Sequence, residues 1–157
     1  MATVELKGVR KAFGSTPVLD DVSLSLEARE FIADMMRSPD VDLFTSRLEE
    51  WAARPGPYSA AVSLARHWLP RVVAHCEGRR SELEAALAWA LHTPTSYDEA
   101  TAAIRLVEET VGGAGPDLSR IPSVLSLMWA TDTEADWPIL WPGGSDTFQT
   151  LGWMGRH

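Results

Sequence analysis

Cysteine and lysine are nearly missing from this chain: Cys76 stands alone, and the only lysines are Lys7 and Lys11. A lone cysteine excludes an internal disulfide and leaves too few thiols for a Cys-rich zinc site. It reads as a small half-buried residue near a helix end. Neither lysine follows the G-x-x-x-x-G spacing of a phosphate-binding loop, whose glycines and lysine together cradle a nucleotide's phosphates. H-E-x-x-H and G-x-S-x-G are missing as well, so no metalloprotease helix or nucleophile elbow is written here. No apolar run approaches the roughly 18 residues of a membrane span. The start of the chain also lacks the basic-then-apolar order of a signal peptide, and a cytoplasmic location is expected.

Of the 157 residues, 45% are hydrophobic, enough for one globular domain with a short appendage. The net charge of −8 makes nucleic acid and anionic membrane unfavourable partners, because their phosphates meet a surface of like sign. Arg79 and Arg80 form a local basic pair within that acidic average.

The hydrophobic pattern divides the chain near residue 31. Thr3–Val9 and Val22–Glu27 alternate apolar and polar residues, with turn chemistry in Gly14-Ser15-Thr16-Pro17 between them. They are expected to form an antiparallel β-hairpin with one apolar face. Beyond it the period becomes helical. A short helix over Phe31–Met36 should stop at Ser38-Pro39. Leu43, Phe44, Leu48 and Trp51 should mark the buried face of the next, and Tyr58, Val62, Ala65, Leu69 and Val72 that of a third, kinked or divided at Pro70. Ser81–Glu84 and Ser96–Glu99 both fit the S-x-x-E capping box that opens a helix. Behind them lie the stripes Leu83, Leu87, Ala90, Leu91 and Tyr97, Ala100, Ile104, Val107, Val111. Ile121–Ala130 is apolar nearly all round and belongs in a core or an interface. A last short helix is expected over Ser145–Leu151. The expected fold is thus mainly α, a domain of about six helices (32–157) carrying an N-terminal antiparallel β-hairpin (1–31).

Three sets of residues are candidates for chemistry. His67 and His75 lie two helical turns apart, too distant to chelate one ion, and with His92 they read as solvated or capping side chains; no metal site is expected. Gly143-Gly144-Ser145-Asp146 reads as a loop with Ser145 as N-cap. Trp137, Trp141 and Trp153 are the partner-binding candidates. For Trp137 and Trp141 the simplest role is to fix a turn stiffened by Pro138 and Pro142, and the sharper one is to anchor a protein segment. Asp132, Glu134 and Asp136 beside them disfavour a nucleic-acid base.

Residues 1–31, from Met-Ala-Thr-Val-Glu-Leu-Lys-Gly-Val to Leu-Ser-Leu-Glu-Ala-Arg-Glu-Phe, resemble the opening strands of an ABC-importer ATPase subunit. By that resemblance Phe13 matches the aromatic that stacks on adenine, although the P-loop, Walker B acid and signature motif do not follow. Residues 32–157 resemble the amino-terminal region of McrB-type AAA proteins. The resemblance is carried by Leu127-Met128-Trp129-Ala130, Asp136-Trp137-Pro138-Ile139-Leu140-Trp141-Pro142 and Leu151-Gly152-Trp153, with Pro57–Ala61 and Trp68-Leu69-Pro70 before them. It implies a non-catalytic binding or adaptor module, without cofactor, whose partner is a protein such as a AAA motor. The alternatives are a truncated ABC transporter ATP-binding fragment and a modified-DNA targeting module.

Overall fold

The structure is a computed structural model that describes residues 11–13, 16–19, 22–54, 59–113, 116–132 and 137–140, with side chains described from Ala28 onward except at residue 59. Six helices dominate these residues: α1 (Val22–Arg37), α2 (Val41–Ala52), α3 (Ser59–His75), α4 (Arg80–Ala90), α5 (Tyr97–Val111) and α6 (Ile121–Trp129). None is long and apolar enough to cross a membrane.

The expected hairpin is not present. Its second strand, Val22–Glu27, is the opening of α1, and its first, Thr3–Val9, lies outside the described residues. Leu24, Ala28, Phe31, Ile32 and Met35 follow one another at spacings of four, three, one and three, so the alternating stretch is the front of a longer helical stripe. Strand among the described residues is confined to β1 (Lys11–Phe13) and β2 (Thr16–Leu19), paired antiparallel with Phe13 opposite Thr16. The division drawn at residue 31 consequently falls inside α1, whose Ala28, Phe31, Ile32 and Met35 are all buried.

Each helix start has an identifiable cause. Asp40 caps α2, its carboxylate accepting from the Asp42 and Leu43 amides at 3.1 and 3.0 Å. Glu84 Oε1 accepts from the Val41 amide at 3.3 Å, so three of the amides at this terminus are bonded by side chains. That use of Glu84, together with its contact to Arg80, replaces the capping box expected at Ser81–Glu84. Helix α4 starts two residues earlier than that box requires, at Arg80 with Arg79 in the N-cap position, and without a side-chain cap. At the second box only half of the pattern forms: Ser96 Oγ accepts from the Glu99 amide at 3.2 Å, while the Glu99 carboxylate reaches past Ser96 to the Thr95 amide. Helix α3 runs unbroken through Pro70 rather than dividing there, held by buried Leu69 and Val72 on either side of it. Helix α5 ends at Gly112, whose φ of 76° and ψ of 161° suit glycine almost alone.

Helix α1 packs on α2 and α4, α2 on α3, α4 on α5, and α6 lies against both α3 and α5. Within α6 every residue but Pro122 is buried, as its all-round apolar pattern requires. Where α1 packs on α2, Phe31 meets Phe44 and Trp51, with ring centroids 5.5 and 5.8 Å apart. Leu43 and Tyr97 depart from their expected stripes and face outward, 50% and 78% exposed. Val41 fills the α2 position that Leu43 leaves.

Phe31→Ala should therefore cost about 3–5 kcal/mol by removing a core ring from the α1–α2 contact, whereas Leu43→Ala should stay within about 0.5 kcal/mol. Urea unfolding of the two variants checks both values.

Candidate functional site

Several polar and aromatic side chains converge around the turn between α4 and α5. Leaving α4, the Leu91 and His92 amides bond to the Leu87 and Trp89 carbonyls at 2.9 and 3.2 Å. His92 Nδ1 lies 3.1 Å from the Ala88 carbonyl and 3.2 Å from that of Trp89. Carbonyl oxygens only accept, so Nδ1 carries the proton and the ring closes the end of the helix. Thr93 and buried Pro94 then carry the chain to Thr95 and Ser96.

Two tryptophans grip this turn from outside it. The Trp129 indole N–H donates to the Ala90 carbonyl at 2.9 Å, and the Trp137 indole N–H donates to the Pro94 carbonyl. The rings of Trp129 and Trp137 lie 5.6 Å apart, and Tyr97 meets Trp137 edge-on at 5.6 Å with an 80° interplanar angle. Behind Trp137, the Leu140 amide donates to the buried Ser126 hydroxyl at 2.8 Å. The result is a graded stack: Trp129 enclosed, Trp137 half-buried and Tyr97 open to solvent. Trp89, also on the outer surface, is 51% exposed.

The charged side chains nearby serve the backbone. Glu99 Oε2 reaches back to the Thr95 amide at 2.6 Å and to its hydroxyl at 2.8 Å. The amide first, then the hydroxyl, holds the Glu99 carboxyl below its ordinary value of 4.5. At the far end of α5, Arg79 donates to the Thr110 and Val111 carbonyls at 2.8 and 3.2 Å. Arg80 bridges Asp42 and Glu84. The basic pair visible in the sequence is thus engaged within the fold. Burial pushes the Cys76 thiol up from 9.0, making it a poor nucleophile. Among the described residues no three His, Cys, Asp or Glu side chains gather as a metal would need.

Of the residues singled out by sequence, Trp137 lies in this cluster. Trp141 and Trp153 lie outside the described residues, as does the Phe13 side chain and the helix expected over Ser145–Leu151. Tyr97 and Trp89 were not among the sequence candidates. Tyr97 is the first residue after the Ser96 cap, and an aromatic at that position was the available signal.

Comparison with family models, curated proteins and solved structures gave no match.

Glu99 titrates in a direction that can be tested. Because its folded value is depressed, the stabilisation it contributes is present above its ordinary value of 4.5 and is lost as pH falls through the lower folded value. In acid unfolding curves, Glu99→Gln should flatten stability against pH in that window, and NMR titration of the wild-type carboxyl should place its midpoint below 4.5.

Proposed function

We propose that this chain is a non-catalytic helical binding or adaptor module, of the kind that precedes the motor in McrB-type AAA proteins. On this reading the shelf of Tyr97 on Trp137 is where it meets a protein partner. The observation that carries the proposal is that Tyr97 is 78% exposed and yet braced edge-on by a neighbouring ring. Tyr and Trp dominate interface energetics because they present a large amphipathic surface with few rotamers to freeze. Here Trp137 already holds Tyr97 from one side, and Trp137 is itself fixed through its N–H to Pro94. Trp129, Trp137 and Leu140, which belong to the strings that carry the resemblance, supply this brace. Nucleic acid is disfavoured as the occupant by the charge of −8.

The test is calorimetric titration of the chain with a purified McrB-type AAA motor domain. Tyr97→Ala should weaken binding by roughly 30-fold, the equivalent of about 2 kcal/mol for an aromatic anchor, with the melting transition unchanged. Equal affinity of wild type and variant would remove the shelf from the interface. A parallel titration with Mg-ATP should give no heat, since no P-loop is present to hold phosphates. Heat with Mg-ATP would favour the ABC-fragment reading instead.

A further inference from the structure

We propose that the outer face of α3 binds a carboxylate-bearing, extended segment of a partner protein, gripped by Arg66 and Arg71. This surface is separate from the aromatic shelf and does not depend on it. Helix α3 carries Arg66, His67, Arg71 and His75 and not one Asp or Glu, inside a chain whose net charge is −8. His67, Arg71 and His75 follow at i, i+4 and i+8, all exposed, so they form a single ridge about 12 Å long. Arg66 joins its start, because Arg66 Nη2 lies 3.1 Å from His67 Nε2. A guanidinium can only donate, so the ring nitrogen accepts and fixes the Arg66 head beside the ridge.

Arg29, Arg37, Arg47, Arg80 and Arg120 each pair with a carboxylate, and Arg79 with two carbonyls. Among the described residues Arg66 and Arg71 meet no carboxylate. Arg105 of α5 shares their lack of a carboxylate partner, but of the three only Arg66 and Arg71 lie on a helix without an acid. Arg66 Nε is enclosed and has no acceptor at all. An atom so enclosed is out of reach of an incoming group, and it is the exposed Nη2 side of the guanidinium, beside His67, that can meet an acceptor. The helix macrodipole favours cations in the last turn, which covers His75. It does not reach Arg66, in the middle of the helix.

Two features choose a peptide of carboxylates as the occupant. The donors Arg71 and His75, four positions apart, are separated by about 6 Å along the axis, close to the 6.6–6.8 Å between alternate side chains of an extended strand. A segment with Glu or Asp at every second position would therefore keep step with the ridge. A nucleic acid, longer and uniformly charged, would have to bring its phosphates against the rest of an acidic surface.

Fluorescence anisotropy of a labelled Glu-Ser-Glu-Ser-Glu-Ser peptide against the full chain tests this. The acidic peptide should bind at low salt, and a Gln-Ser repeat of equal length should not. Arg71→Ala and Arg66→Ala should each weaken binding at least tenfold, while Arg37→Ala, whose partner is Asp34, should leave it unchanged. Arg71 is exposed, so its variant carries the test even if Arg66→Ala impairs folding, which circular dichroism would report. No binding of the acidic peptide, or equal binding by the Arg71 variant, overturns the proposal. Tighter, Arg71-dependent binding of a hexathymidylate would overturn it in favour of a nucleic-acid strand.

Discussion

The hydrogen bond from the Trp129 indole to the Ala90 carbonyl is the constraint around which this fold is arranged. Trp129 is 1% exposed, and an indole N–H enclosed without an acceptor costs about 1–3 kcal/mol. Ala90 ends α4, where the last carbonyls of a helix lack partners in their own chain direction. Each group meets the other's need, and the distance between α4 and α6 is fixed as a consequence. The device recurs: Trp68 donates to the Asp117 carbonyl at 2.9 Å, just before α6, and Trp137 to that of Pro94. Three indoles thus hold carbonyls at element ends and loops, where a helical fold has few backbone bonds of its own to offer.

This economy explains which parts of the fold were legible in the sequence. The stripes of α4 and α5 could be read because Leu83, Leu87, Ala90 and Val107, Val111 sit on long periodic segments closed by turn residues. Helix α6 could be read because an apolar surface all round leaves only a central position. Helix α1 could not be read whole. Over six residues, Val22–Glu27 satisfies both a strand and a helix period, and only its continuity with Phe31 and Met35 decides between them. The capping box at Ser81 failed for a tertiary reason: Glu84 is spent on the Val41 amide, 43 positions away.

The candidate site was legible in part. Trp137 stands out in any reading, since a tryptophan followed by proline marks a stiff turn. That its N–H would seek Pro94 was not readable, because that contact exists only once α4 and α5 have packed. Tyr97 was placed on the buried stripe by its spacing to Ala100. The Ser96 cap, with its extended φ of −150°, instead starts the helix so that the first side chain points outward. The arginines of α3 were hidden by averaging. A net charge describes the whole surface, and one helix free of acids vanishes in a sum of −8.

The two proposed surfaces differ in what makes them ready to bind. Tyr97 needs little further ordering, because a ring wedged against Trp137 has already surrendered rotamer freedom. An immobilised side chain otherwise costs about 0.5–1.5 kcal/mol at an interface, up to a tenfold loss of affinity. Arg66 is prepared in another way. Its Nε has left water, and its Nη2 is held by His67, so part of the desolvation that an ion pair demands has been met during folding. Helix α6 touches both α3 and α5, the helices that carry these surfaces, and its rigidity is shared by each. A small acidic bundle can then present an aromatic and a cationic surface without a pocket between them, because the core that Trp129 closes positions both.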